Sequence, residues 1–598
     1  MNKHFWKNAV LAAALSSLGL AVVLRTPVAA QDQATAAPAA ASASSTATGR
    51  GAGATGTAAR RGGGRGAVST TPTLGLEQGF LEFDTPDFNL KLVKASQTIA
   101  ALQPKGADGF DFTPADRLSF RASDRFNSLG DLTLRVRAGD SGPWISMATS
   151  DTRKPVTALD AKAPVLAAAD LTPTLPDNCP LQITRSWSVE GNRLVLRFDI
   201  KNKTTGLVQI GALGMPMIFN NMLIRQPAPA ANDRTLAQME TVCSFYDPAI
   251  NEDGGYVQVT RLNGHGPALL VVPEGKTPFE AWRTIAEPTP PGQTFEGAFE
   301  WMVHSQAYAE NEWKGKQEWN PATMAALAPG ETKTYALKFL VAPELRDIDQ
   351  TLADNQRPVA VGIPGYILPM DLNAKLFLNY GHKITAIASD PAGAITADQN
   401  APTKNGWKDL TLHGKTWGRV RLTISYDDGT NQTINYYVIK PAQQAVADLG
   451  NFYFTKQWFV DPTDPFGRSP SIMTYDRAHD RIVTQDFRAW VAGLEDEGGA
   501  GSWLAAAMKL SGQPNQQQVT QYDQFIDGVL WGNIQIKDEG PLQYAVKKSI
   551  FYHDPAALPD YPYDTSINWG GWTAWNKHDA SITSRAYDYA HVIDAYWA

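Results

Sequence analysis

The sequence predicts a multidomain chain in which a large β part comes first and a helical part follows. Between residues 73 and 345, short runs of β-branched and aromatic residues alternate with Gly, Pro, Asn and Asp, which is typical of antiparallel strands. A second β pattern occupies residues 357–440, and after Pro441 the apolar residues recur at helical spacing. The expected fold class is a large antiparallel β-supersandwich, a small immunoglobulin-like β module and a helical domain over residues 441–598.

Residues 1–30 have the pattern of a secretory signal peptide. Lys3 and Lys7 precede an apolar run that ends at Leu24, and the small residues Val28 and Ala30 stand before Gln31. We expect cleavage before Gln31 and export to the periplasm or the extracellular space. An uncleaved anchor is the alternative, because Arg25 lies between the apolar run and the cleavage site. No later stretch approaches the roughly 20 apolar residues that a membrane span needs.

Residues 31–72 consist mainly of Ala, Gly, Ser and Thr, without an aromatic residue, Leu or Ile. Such a segment cannot bury enough apolar surface to offset the loss of chain entropy on folding. It is predicted to be a disordered linker.

The supersandwich is predicted from strand-like runs at residues 132–137, 194–200 and 334–341. It contains both cysteines of the chain, Cys179 and Cys243, and in an exported protein a disulfide between them is expected. Its polar and aromatic residues at 300–304 and 310–313 predict the lining of a groove, although a histidine such as His304 is more often structural.

The small β module is predicted from a hairpin signature. Two alternating runs, 420–425 and 434–439, flank the turn residues Asp427, Asp428 and Gly429. The module would either bind glycan weakly or space the domains, and spacing is the preferred interpretation.

The candidate chemistry lies in residues 484–509. Glu495, Asp496 and Glu497 precede a glycine-rich break, and Ser502 then caps a predicted helix over 502–510. The structural alternative is an acidic first turn that only stabilises the helix start. Further helices are predicted at 442–449, 515–530 and 584–598.

Tryptophans surround these acids, and a tryptophan face next to carboxylates suits a sugar ring. The predicted substrate-binding residues are Trp490, Trp503, Asp564, Trp569, Trp572, Trp575, Asp588 and His591.

The composition excludes several other classes of protein. A net charge of −7 and a pI near 5.8 argue against nucleic-acid binding. The sequence contains no phosphate loop, no G-x-S-x-G elbow and no dinucleotide fingerprint, and no spacing of His, Cys or Asp matches a zinc or calcium site. No cofactor and no metal are expected.

Three motifs carry a family resemblance: Val-Thr-Gln-Asp at 483–486, Ala-Gly-Leu-Glu-Asp-Glu-Gly-Gly at 492–499 and Arg-Ala-Tyr-Asp-Tyr-Ala-His at 585–591. With the order of parts, they resemble six-hairpin, (α/α)6-barrel glycosidases that have a galactose-mutarotase-like sandwich in front. The nearest resemblance is to a domain-of-unknown-function family of exported bacterial proteins. Asp588 and Ala590 depart from the Tyr-Asn-Tyr-Pro-His type of helix start in this superfamily.

The resemblance implies a glycoside hydrolase that acts with two carboxyl groups on a poly- or oligosaccharide. Glu497, beside Asp496, is expected to be either the acid or an essential sugar contact, and Asp486 is the first choice for the partner carboxylate, before Asp564 and Asp588. The alternative is a non-catalytic glycan-binding protein of the cell envelope.

The helical part is also shorter than the implied barrel. Twelve helices of about 12 residues with their loops need roughly 300 residues, and only about 130 follow Ser469. We expect an incomplete barrel that is inactive alone, and that needs a partner or a further C-terminal segment.

Overall fold

The computed structural model describes residues 75–107, 109–221, 241–288, 297–494 and 497–598, without the side chains of residues 497–499. The predicted signal peptide and linker lie outside these residues. Residues 70–598 belong to one compact unit. The domain boundaries drawn within that unit from the sequence stay predictions.

The first β part contains seventeen strands in its described residues. In chain order they are β1 (Phe80–Asp84), β2 (Phe88–Val93), β3 (Ile99–Pro104), β4 (Thr133–Ala138), β5 (Ile145–Ala148), β6 (Thr157–Leu159), β7 (Val165–Asp170), β8 (Leu181–Glu190), β9 (Arg193–Asn202), β10 (Val208–Met217), β11 (Ser244–Ala249), β12 (Tyr256–Arg261), β13 (Ala268–Glu274), β14 (Ala281–Ile285), β15 (Ala298–His304), β16 (Ala325–Leu327) and β17 (Thr332–Ala342).

Two large sheets form the sandwich. One has the order β14-β15-β10-β4-β5 with β16 beside β10, and the other has the order β11-β12-β13-β17-β9-β8-β7-β6. Trp301 of the first sheet and Trp187 of the second are fully buried in one shared core. β1, β2 and β3 form a separate three-stranded sheet that adds Phe88 and Leu102 to this core. The predicted two-sheet sandwich is confirmed.

The predicted disulfide is wrong, because Cys179 and Cys243 are not joined. Cys179 precedes β8 and Cys243 precedes β11, and these strands are five positions apart in the eight-stranded sheet. At about 4.8 Å per strand, the lateral separation is on the order of 20 Å, far beyond the reach of a disulfide. The Cys179 thiol is buried and instead lies 3.7 Å from the carbonyl oxygen of Leu181.

The small module is a second sandwich of two four-stranded sheets, β18-β20-β23-β22 and β19-β25-β24-β21. Its strands are β18 (Val359–Ile363), β19 (Ile367–Pro369), β20 (Asn373–Asn379), β21 (Ile384–Asp390), β22 (Ile395–Gln399), β23 (Lys408–Gly414), β24 (Gly418–Tyr426) and β25 (Asn431–Ile439). The predicted hairpin is the antiparallel pair β24–β25, whose inward residues Leu422 and Val438 are fully buried.

The remaining residues are mainly helices and loops, with two short strand pairs, β26 (Trp458–Phe459) with β27 (Ser471–Ile472) and β28 (Tyr475–Asp476) with β29 (Arg481–Ile482). The α-helices of the described residues are α1 (Gln306–Ala309), α2 (Ile348–Asp354), α3 (Ala442–Tyr453), α4 (Ala489–Ala492), α5 (Glu497–Gly512), α6 (Gln516–Phe525), α7 (Lys577–Ala580) and α8 (Ala586–Trp597). A π-helical turn continues α6 over Ile526–Leu530.

The helices predicted at 442–449, 515–530 and 584–598 correspond to α3, to α6 with its π turn, and to α8. Within the described part of the chain, every helix is too short or too polar to cross a lipid bilayer.

Candidate functional site

The acidic turn that the sequence singled out is only partly described. Glu495 and Asp496 lie outside the described residues, and Glu497 is the first residue of α5. The predicted helix start at Ser502 is wrong, because α5 continues back through the glycines to Glu497. Ser502 does not act as a cap, since its hydroxyl accepts a hydrogen bond from Gln457 Nε2 at 3.0 Å.

The structure brings four of the predicted tryptophans together in one area, which we call the tryptophan surface: Trp490, Trp569 and Trp572, with Trp575 packed beneath them. The ring centroid of Trp490 lies 6.0 Å from that of Trp572 and 5.5 Å from that of Trp575. Trp572 is 71% exposed, whereas Trp575 is buried and Lys548 Nζ lies 3.5 Å from its ring centroid.

Hydrogen bonds between two loops hold this surface together. Asp564 N donates to Gln485 Oε1 at 2.8 Å, and Trp569 Nε1 donates to the carbonyl of Asp564 at 2.9 Å. Asp486 lies beside this contact and is paired with Arg488 Nε at 3.0 Å. The Asp564 carboxylate accepts from the backbone N–H and hydroxyl of Ser566, and these bonds lower its pKa. Both carboxylates therefore already have structural partners.

Three predicted substrate contacts are wrong because solvent hardly reaches their side chains, and one of them is the buried Trp575 described above. Trp503 is 1% exposed and packs in the helical core with its ring centroid 5.7 Å from that of Phe525. Asp588 is 2% exposed in the first turn of α8. Trp503 was assigned to the site because it flanks the acids in sequence, and Asp588 because it lies in the aromatic motif at 585–591. His591, one turn after Asp588, lies with its ring 6.4 Å from Tyr587.

A second candidate site is a cavity of about 560 Å³ beside the six-stranded sheet, which we call the sheet pocket. Its lining includes Arg135 of β4, Trp282 and Arg283 of β14, and Tyr308, Glu312 and Trp313 of the segment after β15. The predicted groove residues Glu312 and Trp313 are thus part of a real cavity.

Tyr308 lies at the centre of the charged groups of the sheet pocket. The guanidinium carbons of Arg135 and Arg283 lie 3.9 and 4.6 Å from its ring centroid, and the ring of Trp313 stacks at 5.0 Å. Arg135 also donates two hydrogen bonds to Glu312, at 2.5 and 2.7 Å. These contacts fix an aromatic face next to oriented donors and acceptors.

The buried carboxylate of Glu300 holds the side chain of Arg283 in place. Its Nε donates to Glu300 at 2.5 Å, and Thr133 donates to the other oxygen of Glu300 at the same distance. Glu300 is fully buried, and Gly214 on β10 makes room for it, because a Cβ at that position would lie 2.3 Å from the carboxylate.

Glu280, at the edge of β14, is a buried carboxyl group that lines the sheet pocket itself. Its oxygens accept hydrogen bonds from Ser305 Oγ at 2.7 Å, from the Thr323 backbone N–H at 3.1 Å and from the Thr323 hydroxyl. Burial outweighs these bonds and raises the pKa of Glu280 to about 7.

His304 is structural, as the more common interpretation expects. Its two ring nitrogens lie 2.7 Å from Thr323 Oγ1 and from Tyr335 Oη, and burial lowers its pKa to about 4. It is neutral beside Glu280 at physiological pH.

The sequence did not identify Arg135, Trp282, Arg283 or Glu280 as site residues. Alternating strands show which residues share a face, but they do not show which strands are neighbours in a sheet. An arginine in a β run, such as Arg135 in Leu-Thr-Leu-Arg-Val-Arg, was the available signal, because charged residues are unusual next to a sandwich core.

The family model DUF5695, described as a family of unknown function, matches residues 91–598. No curated protein sequence matches the chain.

Among solved structures, a polysaccharide lyase superimposes with a TM-score of 0.57 at 13% identity, over 77% of this chain and 62% of the lyase. The chain thus shares the fold of a part of that protein and spans less than two thirds of its length. A galactose mutarotase-like protein from Lactobacillus casei matches 44% of this chain and 100% of its own, with 11% identity and a TM-score of 0.28. A galactose mutarotase related enzyme from Lactobacillus acidophilus matches 44% of this chain and 97% of its own, with 9% identity and a TM-score of 0.25.

Proposed function

The chain belongs to the DUF5695 family, and we propose that it is a carbohydrate-active protein that binds a saccharide in the sheet pocket and hydrolyses glycosidic bonds. The observation that carries the proposal is the lining of this pocket, where aromatic faces stand beside paired arginines and glutamates. The fold shared with a polysaccharide lyase is consistent with it.

The volume and the composition of the sheet pocket suit a neutral sugar ring. A volume of about 560 Å³ lies within the range of small-molecule sites. The rings of Tyr308 and Trp313 offer apolar faces, and the Arg135–Glu312 pair offers donors and acceptors for hydroxyl groups. The lining holds three basic residues (Arg135, Arg283, Lys316) and three acidic ones (Glu280, Glu312, Glu318). With Glu280 protonated the excess is a single positive charge, which is small enough to favour a neutral saccharide over a polyanion.

For hydrolysis, we assign Glu280 as the proton donor and Glu312 as the base or nucleophile. Glycoside hydrolysis needs one carboxyl group that is protonated near neutral pH and one that is ionised. Burial raises the pKa of Glu280 to about 7, and the hydrogen bonds from Arg135 lower the pKa of Glu312. Glu497 with Asp496 and Asp486 is the rival assignment, supported by the nearby tryptophan surface.

The alternative is saccharide binding without cleavage. One observation favours it: both oxygens of Glu280 already accept hydrogen bonds from Ser305 and Thr323. A carboxyl group held in this way serves as a structural acceptor unless its proton can reach the pocket.

Two further parts of the proposal concern architecture and location. The helical hairpin α5–α6, closed by a bond from Tyr522 Oη to the carbonyl of Trp503 at 3.0 Å, supports an (α/α)6-type domain. The pattern of residues 1–30 supports export to the periplasm or beyond.

The test is a panel of neutral oligosaccharides incubated with the full chain, with thermal unfolding as the binding assay and new reducing ends as the cleavage assay. We expect both signals, and we expect Glu280→Gln and Glu312→Gln to abolish cleavage. Glu310→Gln is the matched control, because Glu310 bonds to Trp144 Nε1 outside the pocket lining.

Each other outcome selects a different conclusion. Binding without products would establish the non-catalytic alternative, and unsaturated sugar ends would establish elimination instead of hydrolysis. Cleavage that survives both pocket variants but is lost in Glu497→Gln would move the chemistry to α5. No binding by any saccharide would overturn the proposed function.

A further inference from the structure

A second cavity of about 350 Å³ lies where the large sandwich meets the small module. Its lining includes Asn251 and Tyr256 of the large sandwich, and Tyr366, Thr433 and Asn435 of the small module. We call it the module pocket. Its volume alone is within the range of ligand sites.

Trp319 lines both the sheet pocket and the module pocket. It is 38% exposed, and the guanidinium carbon of Arg419 lies 5.7 Å from its ring centroid. The two cavities are therefore adjacent, and one indole ring forms part of the wall of each.

Hydrogen bonds to both sandwiches fix the segment that carries Trp319. Gln317 and Arg419 bond to each other's carbonyl oxygens at 3.3 and 3.2 Å. The buried side chain of Asn320 donates to the carbonyls of Phe279 and Glu280, at 3.0 and 3.1 Å, and accepts from Thr433 Oγ1 at 2.7 Å. The side chain of Asn320 thus links a residue of the sheet pocket, Glu280, to a residue of the module pocket, Thr433.

The module pocket also has unused hydrogen-bonding capacity. The side-chain oxygen of Asn435 is covered from solvent and has no hydrogen-bond partner among the described residues. A buried acceptor without a donor is costly, so rotation of the half-buried Asn435 side chain into the cavity, where a ligand hydroxyl group donates to it, would be favourable. Tyr366, 44% exposed, adds an aromatic ring to the same cavity.

We propose that the sheet pocket and the module pocket form one groove for a chain of neutral sugar units, with Trp319 as the shared platform and the small module contributing the second half of the site. This inference rests on the proposed function and deepens it, because it makes the ligand an oligosaccharide and gives the small module a binding role. A fixed, preformed platform reduces the entropy that an extended ligand loses on binding.

The test is isothermal titration calorimetry of the full chain with malto-, cello- and xylo-oligosaccharides, from the monosaccharide to the hexasaccharide. We expect affinity to rise with chain length by about tenfold or more in one series. Tyr366→Ala should remove most of this gain and leave monosaccharide binding unchanged. Trp319→Ala should weaken longer ligands most, and Trp282→Ala should weaken ligands of every length.

The matched control is Tyr437→Ala. Tyr437 is 45% exposed in the same module and does not line the module pocket. Thermal unfolding of each variant checks that it folds.

Different results would overturn the extended groove and the proposed function. Affinity independent of chain length, with Tyr366→Ala equal to wild type and Trp282→Ala weakened, would overturn the groove and leave the sheet pocket standing. If neither Trp282→Ala nor Tyr366→Ala changed the affinity, or if no probe bound at all, both the groove and the proposed function would be overturned.

Discussion

The guanidinium carbon of Arg135 lies 3.9 Å from the ring centroid of Tyr308 while the same group donates two hydrogen bonds to Glu312. One side chain therefore orients both the aromatic face and the exposed carboxylate of the sheet pocket. Lysine keeps the charge but has neither the planar face nor the two-pronged donor geometry of arginine.

We predict that Arg135→Lys lowers saccharide affinity about tenfold and changes the unfolding free energy by less than about 1 kcal/mol, because Glu312 is exposed. Calorimetry and urea unfolding measure the two effects. Arg137→Lys is the matched control on the same strand, since Arg137 stacks on Trp144 with its guanidinium carbon 4.0 Å from the ring centroid. Equal affinity of the Arg135 variant and wild type would remove Arg135 from the site.

The second prediction concerns Gly214, which faces the buried Arg283–Glu300 pair. A Cβ at this position would lie 2.3 Å from the Glu300 carboxylate and 2.5 Å from Thr133 Oγ1. Gly214→Ala must displace the carboxylate from its partners, so we expect a loss of about 2 to 4 kcal/mol in unfolding free energy.

Urea unfolding measures this loss. Gly206→Ala is the control, because a Cβ added just before the same strand meets no atom within 4 Å. An unfolding free energy of Gly214→Ala close to that of Gly206→Ala would show that the Glu300 site relaxes freely.

The sequence predicted those elements of the fold whose signal is local. The runs at 420–425 and 434–439 form a hairpin, and residues 515–530 form α6 and its π turn, because alternation and helical spacing are local signals. The start of α5 was missed because glycine propensity was outweighed by packing: Ala500 is 2% exposed in the helical core.

The sheet pocket was only partly visible in the sequence, for a topological reason. Glu312 and Trp313 stood out as an acidic and aromatic cluster, but Arg135 meets them only because β4 and β15, the strand before that cluster, belong to one sheet. The disulfide prediction was wrong for the same reason, since the spacing of Cys179 and Cys243 in the sequence does not show how many strands separate them in the sheet.

The third prediction is a pH dependence of stability that arises from Glu280. Its pKa is raised from 4.5 to about 7, so the folded state holds this proton more tightly than the unfolded state. The resulting stabilisation is fully present below about pH 4.5 and is lost as the pH rises through about 7. The loss amounts to about 3 kcal/mol at most.

His304 acts in the opposite direction. Its pKa is lowered from 6.5 to about 4, so its contribution to stability is present above about pH 6.5 and is lost as the pH falls through about 4. In the wild type, Glu280 makes the unfolding free energy fall with rising pH, whereas His304 makes it rise. Glu280→Gln removes only the first effect, so its unfolding free energy should rise with pH, relative to wild type, between about pH 4.5 and 7. Parallel curves for the two proteins in urea unfolding would contradict the raised pKa.

The last prediction separates the tryptophan surface from the sheet pocket. Trp572 is 71% exposed, so its ring adds little to the core, and its apolar face is open to solvent beside the ring of Trp490, which is inclined to it by 40°. We expect Trp572→Ala to weaken binding to an insoluble polysaccharide and to leave both disaccharide affinity and unfolding free energy unchanged. Pull-down on the polymer and calorimetry measure the two affinities. Trp597→Ala is the control, because Trp597 is 78% exposed on α8 and is not part of the tryptophan surface. If Trp572→Ala instead abolished disaccharide binding, the primary site would lie on the tryptophan surface, where the sequence alone had placed it.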